Sequence, residues 1–295
     1  MEPSKQSEAV RLHWEACRQG IPDDESWGNL TAEPRGVDYL ETEAAGLPAM
    51  WAVPKEGAED RVLLCMHGGG FLSGSIYTHR KMFAHLAKAV GARALIFDYH
   101  LAPAHTHPSQ VNEAMAVYRW LLDQGVGPIA FAGDSAGGGL AIATQLLARE
   151  RGLPLPAAAL LLSPWVDMAA TGESYVTNRD RDPFFYADSV REFADLFLGG
   201  RDPRDPLASP LYADLTGLGP IYIQVGGSET LLDDARRLAE HARGAGVEVR
   251  LDVFPDMLHT FQMAAGRAPE ADDAIHRMAE WARPRLGAVT AASGR

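Results

Sequence analysis

Cysteine is scarce in this chain, whose 295 residues include only Cys17 and Cys65. Two cysteines so far apart show no metal-binding spacing and give no disulfide framework. Cys65 lies in an apolar run, which favours a buried and unreactive thiol. His105 and His107 could suggest a metal site, but no carboxylate or cysteine accompanies them in the sequence. We therefore predict neither disulfide bonds nor a metal site.

Long apolar stretches are absent as well. The chain has no apolar span of 18 residues, and its first residues, Met1–Lys5, lack the apolar core of a signal peptide. We therefore predict a cytoplasmic, soluble protein with no stable membrane insertion. Basic residues are outnumbered by acidic ones, 27 against 39, so the net charge is −12. This sign argues against nucleic acid or an anionic membrane as the main partner.

The chain is long enough to bury a large core in a single α/β domain. From residue 61 onward, short apolar runs alternate with helical patterns, which predicts βαβ units and a mainly parallel sheet. The runs predicted as strands are residues 61–66, 92–99, 129–134, 157–162, 221–225 and 247–254. Before them we predict an amphipathic helix over 5–19, an irregular segment over 21–35, and a hairpin formed by 37–42 and 49–53.

Residues 170–215 break this alternation. They contain the sequence Asp182–Tyr186 and one helical pattern over 188–198. We interpret them as an insertion above the sheet rather than another βα unit. The final residues, 288–295, are small and polar, and we predict that they are disordered.

The sequence Gly133-Asp134-Ser135-Ala136-Gly137 follows an apolar strand pattern and precedes an Ala- and Leu-rich helical one. Gly-x-Ser-x-Gly alone fixes three common residues and can occur by chance. Between a strand and a helix, however, the pattern is typical of a tight turn that exposes a nucleophilic serine above the sheet edge. Gly133 and Gly137 lack Cβ atoms where the two backbones crowd together.

A serine hydroxyl needs a base to become a nucleophile near neutral pH. Three histidines follow Ser135 in the chain, namely His241, His259 and His276. His241 and His276 fall inside helices that we predict over 231–243 and about 270–286. His259 follows the last predicted strand, which places it at the same sheet edge as Ser135, so we predict that His259 is the base.

The base needs an acid that holds its tautomer and stabilises the imidazolium. Glu229 comes soon after the strand over 221–225, at the predicted sheet edge. Asp233 and Asp234 follow about one turn later, where acidic residues near a helix N-terminus have an ordinary structural explanation. We favour Glu229 as the acid and keep Asp233 as the alternative.

The oxyanion of a tetrahedral intermediate needs backbone N–H donors at the same edge. The triplet Gly68, Gly69 and Gly70 follows a buried strand and can turn its amides inward without hindrance from Cβ atoms. A triple glycine could also be a flexible turn, but its place after a strand favours an oxyanion hole together with Ala136. We expect His67 to support this loop rather than to act as a base.

The motifs taken together resemble the bacterial hormone-sensitive-lipase-like esterases, family IV of the lipolytic α/β-hydrolases, from about residue 60 to 285. The matching segments are His67–Phe71, Asp98–Tyr99, Leu101–Pro103, Gly133–Gly138 and Ser163–Trp165. The resemblance implies an α/β-hydrolase fold, with a mostly parallel sheet of about eight strands, helices on both faces and a helical cap. It also implies a triad of Ser135, Glu229 and His259.

This chain departs from the family pattern at two places. Most relatives have Asp where this chain has Glu229. Many also have Arg and Glu where this chain has His100 and Ala104, so an ion pair can be missing there.

The resemblance further implies how the chain is divided. We assign residues 1–45 to the N-terminal part of the cap and 170–215 to a cap insertion. The α/β-hydrolase core would then consist of residues 46–169 and 216–287. Relatives frequently dimerise through the last strand, which here is about residues 247–254.

We therefore predict a carboxylic-ester hydrolase that acts through an acyl-enzyme on a small-molecule ester, without a metal or organic cofactor. The resemblance implies short- to medium-chain acyl groups. Bulky side chains near the predicted site are candidates for the pocket wall, although they could equally form the core of the cap. These are Phe71, Trp165, Met168, Phe184, Phe185 and Tyr186.

Two other functions use the same features. The same triad could hydrolyse a lactone or an amide, because the acyl chemistry is shared. A non-catalytic small-ligand receptor is the other alternative, since the plant gibberellin receptors resemble this family. Those receptors have lost the catalytic histidine, so the presence of His259 argues against this role.

Overall fold

The computed structural model describes residues 4–19 and 24–287, and within them eight strands form one sheet. The strands are β1 (Val37–Ala44), β2 (Leu47–Pro54), β3 (Ala58–Met66), β4 (Ala92–Phe97), β5 (Ile129–Asp134), β6 (Ala159–Leu162), β7 (Ile221–Gly226) and β8 (Val249–Phe254). Their order across the sheet is β1-β2-β4-β3-β5-β6-β7-β8. β2 pairs antiparallel with both β1 and β4, and all other neighbours are parallel. The predicted eight-stranded, mainly parallel sheet is confirmed.

Helices cover both faces of this sheet. They are α1 (Glu8–Arg18), α2 (Asp24–Gly28), α3 (Ile76–Val90), α4 (Ser109–Asp123), α5 (Ala136–Glu150), α6 (Ser174–Thr177), α7 (Ala187–Leu198), α8 (Leu232–Gly244) and α9 (Pro269–Ala282). The connection from β3 to β4 runs across the sheet in the opposite direction to those that follow. Because such crossovers are right-handed, α3 lies on one face and α4, α5 and α8 lie on the other. α9 packs beside α3.

The central strands are apolar on both sides because both faces are covered by helices. In β3, the side chains from Val62 to Met66 are fully buried, and all of β5 is buried. α5 is buried from Ala136 to Ala148, so this helix lies inside the core rather than on its surface. Ser135 therefore stands between two rigid, buried elements.

The structure differs from the predictions in three places. α2 is a short helix in the segment 21–35, which we predicted to be irregular, and α6 is a short helix in the insertion, where we predicted a helix only over 188–198. β1 lies inside the segment 1–45, yet it pairs with β2 along its whole length. The sheet therefore includes residues 37–44, and an N-terminal cap could only consist of residues before them. The predicted disordered tail, 288–295, lies outside the described residues.

The carboxyl ends of the parallel strands meet at one edge of the sheet, where parallel α/β proteins place their ligand sites. Gly68, Ser135, Ser163, Glu229 and His259 all follow strands at this edge. Within residues 4–19 and 24–287, no helix has the length and apolar character needed to cross a membrane.

Candidate active site

Ser135 occupies a strained turn between β5 and α5. Its φ of 53° and ψ of −121° are rarely adopted by a residue with a side chain. The flanking glycines are needed for this turn. A Cβ on Gly133 would overlap the carbonyl oxygen of Gly137, and a Cβ on Gly137 would overlap that of Met66. The predicted serine turn is therefore present, and it holds the hydroxyl above the strand ends.

A continuous hydrogen-bonded chain joins the three residues predicted as a triad. The Nε2 atom of His259 lies 3.0 Å from Ser135 Oγ, and its Nδ1 atom lies 2.6 Å from Glu229 Oε2. His259 is 1% exposed and Glu229 is fully buried. With Nδ1–H donating to the carboxylate, Nε2 is left free to accept the serine proton.

The Glu229 carboxylate is held at both oxygens. Its Oε1 atom accepts hydrogen bonds from Ser163 Oγ at 2.7 Å and from the Gly226 amide at 2.5 Å. Its Oε2 atom is then directed at His259. Two extra donors stabilise the ionised form of a buried carboxylate and fix its orientation.

The alternative residues lie elsewhere. Asp233 accepts a hydrogen bond from the Ser174 amide at 2.8 Å and forms an ion pair with Arg236, so it joins α6 to α8. His241 lies 2.7 Å from the carbonyl oxygen of Ala213, and His276 is an exposed partner of Glu280. None of the three contacts Ser135 or His259 among the described residues.

The glycine loop after β3 is a tight turn beside Ser135. The amides of Leu72 and Ser73 both donate to the Gly69 carbonyl, at 3.0 Å. Gly69 and Gly70 have φ values of 117° and 63°, and a Cβ on Gly69 would overlap the carbonyl oxygen of Ser73. In the described part of the chain, the amides of Gly69, Gly70 and Ala136 find no hydrogen-bond acceptor. They are therefore available to a substrate.

Gly68 does not fit the predicted oxyanion hole. Its amide donates to Asp134 Oδ1 at 3.0 Å, so this donor is already used. The other carboxylate oxygen of Asp134 lies 3.2 Å from His79 Nε2. Gly68 thus anchors the glycine loop to the serine turn, and the amides of Gly69 and Gly70 remain as the free donors of this loop.

His67 supports the same loop. Its ring stacks on Tyr99 with centroids 4.2 Å apart, and Nδ1 lies 2.8 Å from the Gly68 carbonyl oxygen. Burial lowers the pKa of His67 to about 3, so the ring is neutral near pH 7. Both observations agree with the structural role that we expected.

Two cavities meet at Ser135. The larger has a volume of about 360 Å³ and is mostly apolar. It is lined by His13, Trp14, Cys17, Trp27, Gly69, Gly70, Leu72, Ser73, Asp134, Ser135, Phe184, Phe185, Phe193, His259 and Thr260. The smaller has a volume of about 10 Å³ and is lined by Gly70, Ser135, Trp165, Phe185, Val190, Phe193 and Leu231. Of the predicted wall residues, Phe184 and Phe185 line the first cavity, while Trp165 and Phe185 line the second.

The other three predicted wall residues line neither cavity. The ring of Phe71 stacks on Phe197 of α7 with centroids 3.9 Å apart. Met168 is buried beneath the insertion, where its amide donates to Ser209. Tyr186 lies on the outer surface of this region, with the Arg18 guanidinium 5.6 Å from its ring centroid.

The chain is similar in sequence to known hydrolases. The α/β-hydrolase fold family matches residues 63–263. An acetyl-hydrolase of Streptomyces hygroscopicus is 40% identical over 265 residues, 89% of this chain and 87% of that protein. An esterase of Acinetobacter venetianus is 35% identical over 233 residues, 78% of this chain and 77% of that protein.

A solved structure gives the same result at the level of the fold. The crystal structure of an esterase from the bacterial hormone-sensitive lipase family matches with a TM-score of 0.92 and 43% identity, over 97% of this chain and 100% of that one. The chain belongs to this esterase family. Its members named above are hydrolases of esters, so the chain is a carboxylic-ester hydrolase of the α/β-hydrolase fold.

The cavity wall that comes from the N-terminal residues of this esterase was not predicted from the sequence. His13, Trp14 and Cys17 of α1, together with Trp27, line the larger cavity. The amphipathic spacing of α1 indicates a buried face but not what that face covers. Trp14 and Trp27 pack edge-on with centroids 5.8 Å apart.

The N-terminal wall of the esterase is uncharged near neutral pH. Burial lowers the pKa of His13 to about 4 and raises the pKa of Cys17 to about 11. The Cys17 thiol lies 3.5 Å from His13 Nε2. The wall thus suits an apolar group, and its thiol stays protonated and weakly nucleophilic.

Proposed function

We propose that this esterase hydrolyses short- to medium-chain acyl esters through an acyl-enzyme formed on Ser135. The observation that carries the proposal is the chain of short hydrogen bonds from Glu229 through His259 to Ser135 Oγ. These hydrogen bonds orient His259 as a base beside Ser135, whose hydroxyl group is exposed to a cavity.

Acylation follows from this geometry. Ser135 Oγ attacks the ester carbonyl carbon while His259 Nε2 takes the hydroxyl proton. His259 then returns that proton to the leaving alcohol oxygen as the C–O bond breaks, and Glu229 stabilises the imidazolium between these steps. His259 then deprotonates a water molecule, which attacks the acyl carbon, and the proton passes from His259 to Ser135 Oγ as the Oγ–C bond breaks and the acid is released.

The negative oxygen of each tetrahedral intermediate would be stabilised by the amides of Gly69, Gly70 and Ala136. These three groups border Ser135 and lack other acceptors in the described part of the chain. Loss of one such donor typically lowers kcat by about 100- to 1000-fold in serine hydrolases. Every step therefore uses side chains, backbone amides and water.

The two cavities give the substrate an orientation. The leaving alcohol must lie on the side of His259, because Nε2 protonates its oxygen. Only the larger cavity is lined by His259, so the alcohol part would lie there. The acyl part would then enter the smaller cavity, which Ser135 and Gly70 border and His259 does not.

The size of the smaller cavity supports short acyl groups. Its 10 Å³ is about the space that one water molecule needs, which is close to the size of a methyl group. The methyl of an acetyl group fits such a space, and we expect longer chains to require movement of the Val190 or Leu231 side chains. The acetyl-hydrolase among the relatives agrees with this size.

A p-nitrophenyl ester series from acetyl to dodecanoyl tests the proposal. We expect kcat/KM to be highest between acetyl and butyryl, to fall by octanoyl, and to be lost in Ser135→Ala. Val190→Ala should favour hexanoyl over acetyl by several-fold, since each buried methylene is worth about 0.8 kcal/mol. Val176→Ala, at a residue 76% exposed, is the matched control.

Two outcomes would contradict this function. Hydrolysis that persists in Ser135→Ala would place the nucleophile elsewhere. An optimum at dodecanoyl in wild type, unchanged in Val190→Ala, would remove the small cavity from acyl recognition.

The cap and the location of the protein are further parts of this proposal. The N-terminal helices and residues 170–215 both contribute to the cavity walls, which supports the division into cap and core. We also propose a cytoplasmic location, which cell fractionation with an antibody against the protein would test.

A further inference from the structure

The N-terminal helix α1 makes a direct hydrogen bond to the residue proposed as the base. Trp14 Nε1 donates to the backbone carbonyl oxygen of His259 at 3.0 Å. Trp14 is 4% exposed, so little water can compete for this bond. The two residues are 245 positions apart in the chain, and the bond joins α1 to the loop after β8.

The bond fixes one side of a strained peptide unit. Thr260, the next residue, has a left-handed φ of 50°. Its amide donates to Ser163 Oγ at 3.4 Å, and Ser163 Oγ in turn donates to Glu229. The peptide between His259 and Thr260 is therefore held by Trp14 at its oxygen and by Ser163 at its nitrogen.

The same indole also supports the His259 ring. Trp14 packs edge-on against Phe185 at 5.2 Å, and Phe185 packs edge-on against the imidazole at 4.4 Å. Phe184 stacks on the other part of the indole at 5.4 Å. Backbone and ring of His259 thus both depend on where α1 is docked.

Trp27 provides a natural comparison within the same wall. It is also buried and also lines the larger cavity, and it contacts Trp14. Its Nε1 atom, however, has no hydrogen-bond partner in the described part of the chain. The two tryptophans are therefore both buried in the same cavity wall, but only Trp14 donates a hydrogen bond to His259.

We propose that Trp14 is a positioning residue that couples the docking of α1 to the orientation of the catalytic base. The inference rests on the proposed function of His259 as the base for Ser135. Loss of the indole N–H leaves the His259 carbonyl unpaired and frees the peptide unit to rotate. The Nε2 atom then spends less time at hydrogen-bonding distance from Ser135 Oγ.

The test compares Trp14→Phe with Trp27→Phe. We expect Trp14→Phe to lower kcat for p-nitrophenyl acetate about five- to tenfold with KM changed less than threefold. Trp27→Phe reshapes the wall, so we expect it to change KM and to lower kcat less than Trp14→Phe does. Trp120→Phe, on α4, is the control for an ordinary tryptophan substitution.

A second readout separates positioning from substrate fit. Methanesulfonyl fluoride sulfonylates Ser135 with loss of fluoride while His259 takes the hydroxyl proton, and it is too small to need the aromatic wall. Its second-order inactivation rate should fall five- to tenfold in Trp14→Phe and stay within twofold in Trp120→Phe, whose side chain lines neither cavity. Rates are normalised to the serine that is sulfonylated at completion, so unfolded protein does not contribute.

Equal losses of kcat in Trp14→Phe and Trp27→Phe would overturn the proposal. A change confined to KM in Trp14→Phe would also overturn it. If Trp14→Phe does not fold, benzothienylalanine at position 14 tests the same bond, because it replaces only the indole N–H by sulfur. Failure of the proposed function would give a different result. In that case methanesulfonyl fluoride would not inactivate the wild type, or the Ser135→Ala variant would remain active.

Discussion

At the scale of single residues, the proposed acid is Glu229, where the resemblance to the family implies the shorter Asp. Glu229 reaches His259 with one oxygen while its other oxygen accepts two hydrogen bonds. The glutamate is thus held by the turn that follows β7 and by Ser163. The carboxylate of Glu229 thus lies at hydrogen-bonding distance from His259, which in turn lies at that distance from Ser135.

Glu229→Gln tests this assignment. The amide cannot stabilise an imidazolium and can select the wrong tautomer, so we expect kcat to fall by about 1000-fold or more. The measurement is kcat for p-nitrophenyl acetate near pH 7. Asp233→Asn serves as the control, with activity expected within about twofold. A larger loss in Asp233→Asn than in Glu229→Gln would contradict the assignment.

The sequence was sufficient to predict the residues bonded around Ser135 but not most of the cavity wall. Ser135, Glu229 and His259 each follow a strand, and strand ends are readable from apolar runs. Trp14 approaches His259 only because α1 docks across a gap of 245 residues, which no local pattern encodes. Phe71 lines neither cavity, because its ring stacks on Phe197 of α7, another contact between residues far apart in the chain.

At the scale of elements, the N-terminus of α8 is attached to the loop that carries Ser163. Asp234 Oδ2 accepts hydrogen bonds from the amides of Val166 and Asp167, both at 3.0 Å. Burial raises the pKa of Asp234 to about 8. The carboxyl is therefore mostly protonated in the folded protein at neutral pH, whereas it is ionised in the unfolded chain.

This difference predicts a pH dependence of stability. The folded state binds the proton more tightly, so the stabilisation is complete below about pH 4 and is lost as pH rises through about 8. Between about pH 4 and pH 8, the contribution of Asp234 to the free energy of unfolding falls by about 1.4 kcal/mol per pH unit. We expect Asp234→Asn, which stays neutral, to reduce the decrease in melting temperature between pH 5.5 and 8.5. Asp233→Asn is the control, and an unchanged decrease in Asp234→Asn would contradict the shift.

Long elements were predictable and short ones were not. The strands of the sheet and α3, α4, α5 and α8 were recognisable because each has an apolar run or periodicity of sufficient length. The helices α2 and α6 have five and four residues, too few for a periodic pattern. The start of α6 is fixed instead by tertiary contacts, such as the hydrogen bond that the Ser174 amide donates to the Asp233 carboxylate.

At the scale of the whole molecule, β8 is the last strand of the sheet within the described residues. All six of its residues are half-buried. An edge of this kind leaves backbone groups that a second copy can pair with. We therefore propose that the esterase forms a homodimer through about residues 247–254.

Light scattering during size-exclusion chromatography tests the dimer. We expect about twice the monomer mass for wild type. In a two-fold symmetric pairing, a residue near the middle of β8 approaches its own copy. Leu251→Glu should therefore yield monomers, because two carboxylates would meet, while Leu196→Glu on α7 should not. A monomeric wild type would contradict the proposal.

The global arrangement was predictable because the order of strands and helices restricts the topology of an α/β sheet. The boundary of the N-terminal cap was not, because it was taken from the resemblance to the family, although the hairpin predicted over 37–42 and 49–53 is present as β1 and β2. Residues 37–44 therefore belong to the sheet.

The most direct measurement of the central claim is the site of acetylation after rapid acid quench with p-nitrophenyl acetate. Peptide mass spectrometry should find one acetyl group on Ser135, formed together with a burst of p-nitrophenol and absent in Ser135→Ala. An acetyl group on another residue, or steady turnover in Ser135→Ala, would contradict the acyl-enzyme mechanism.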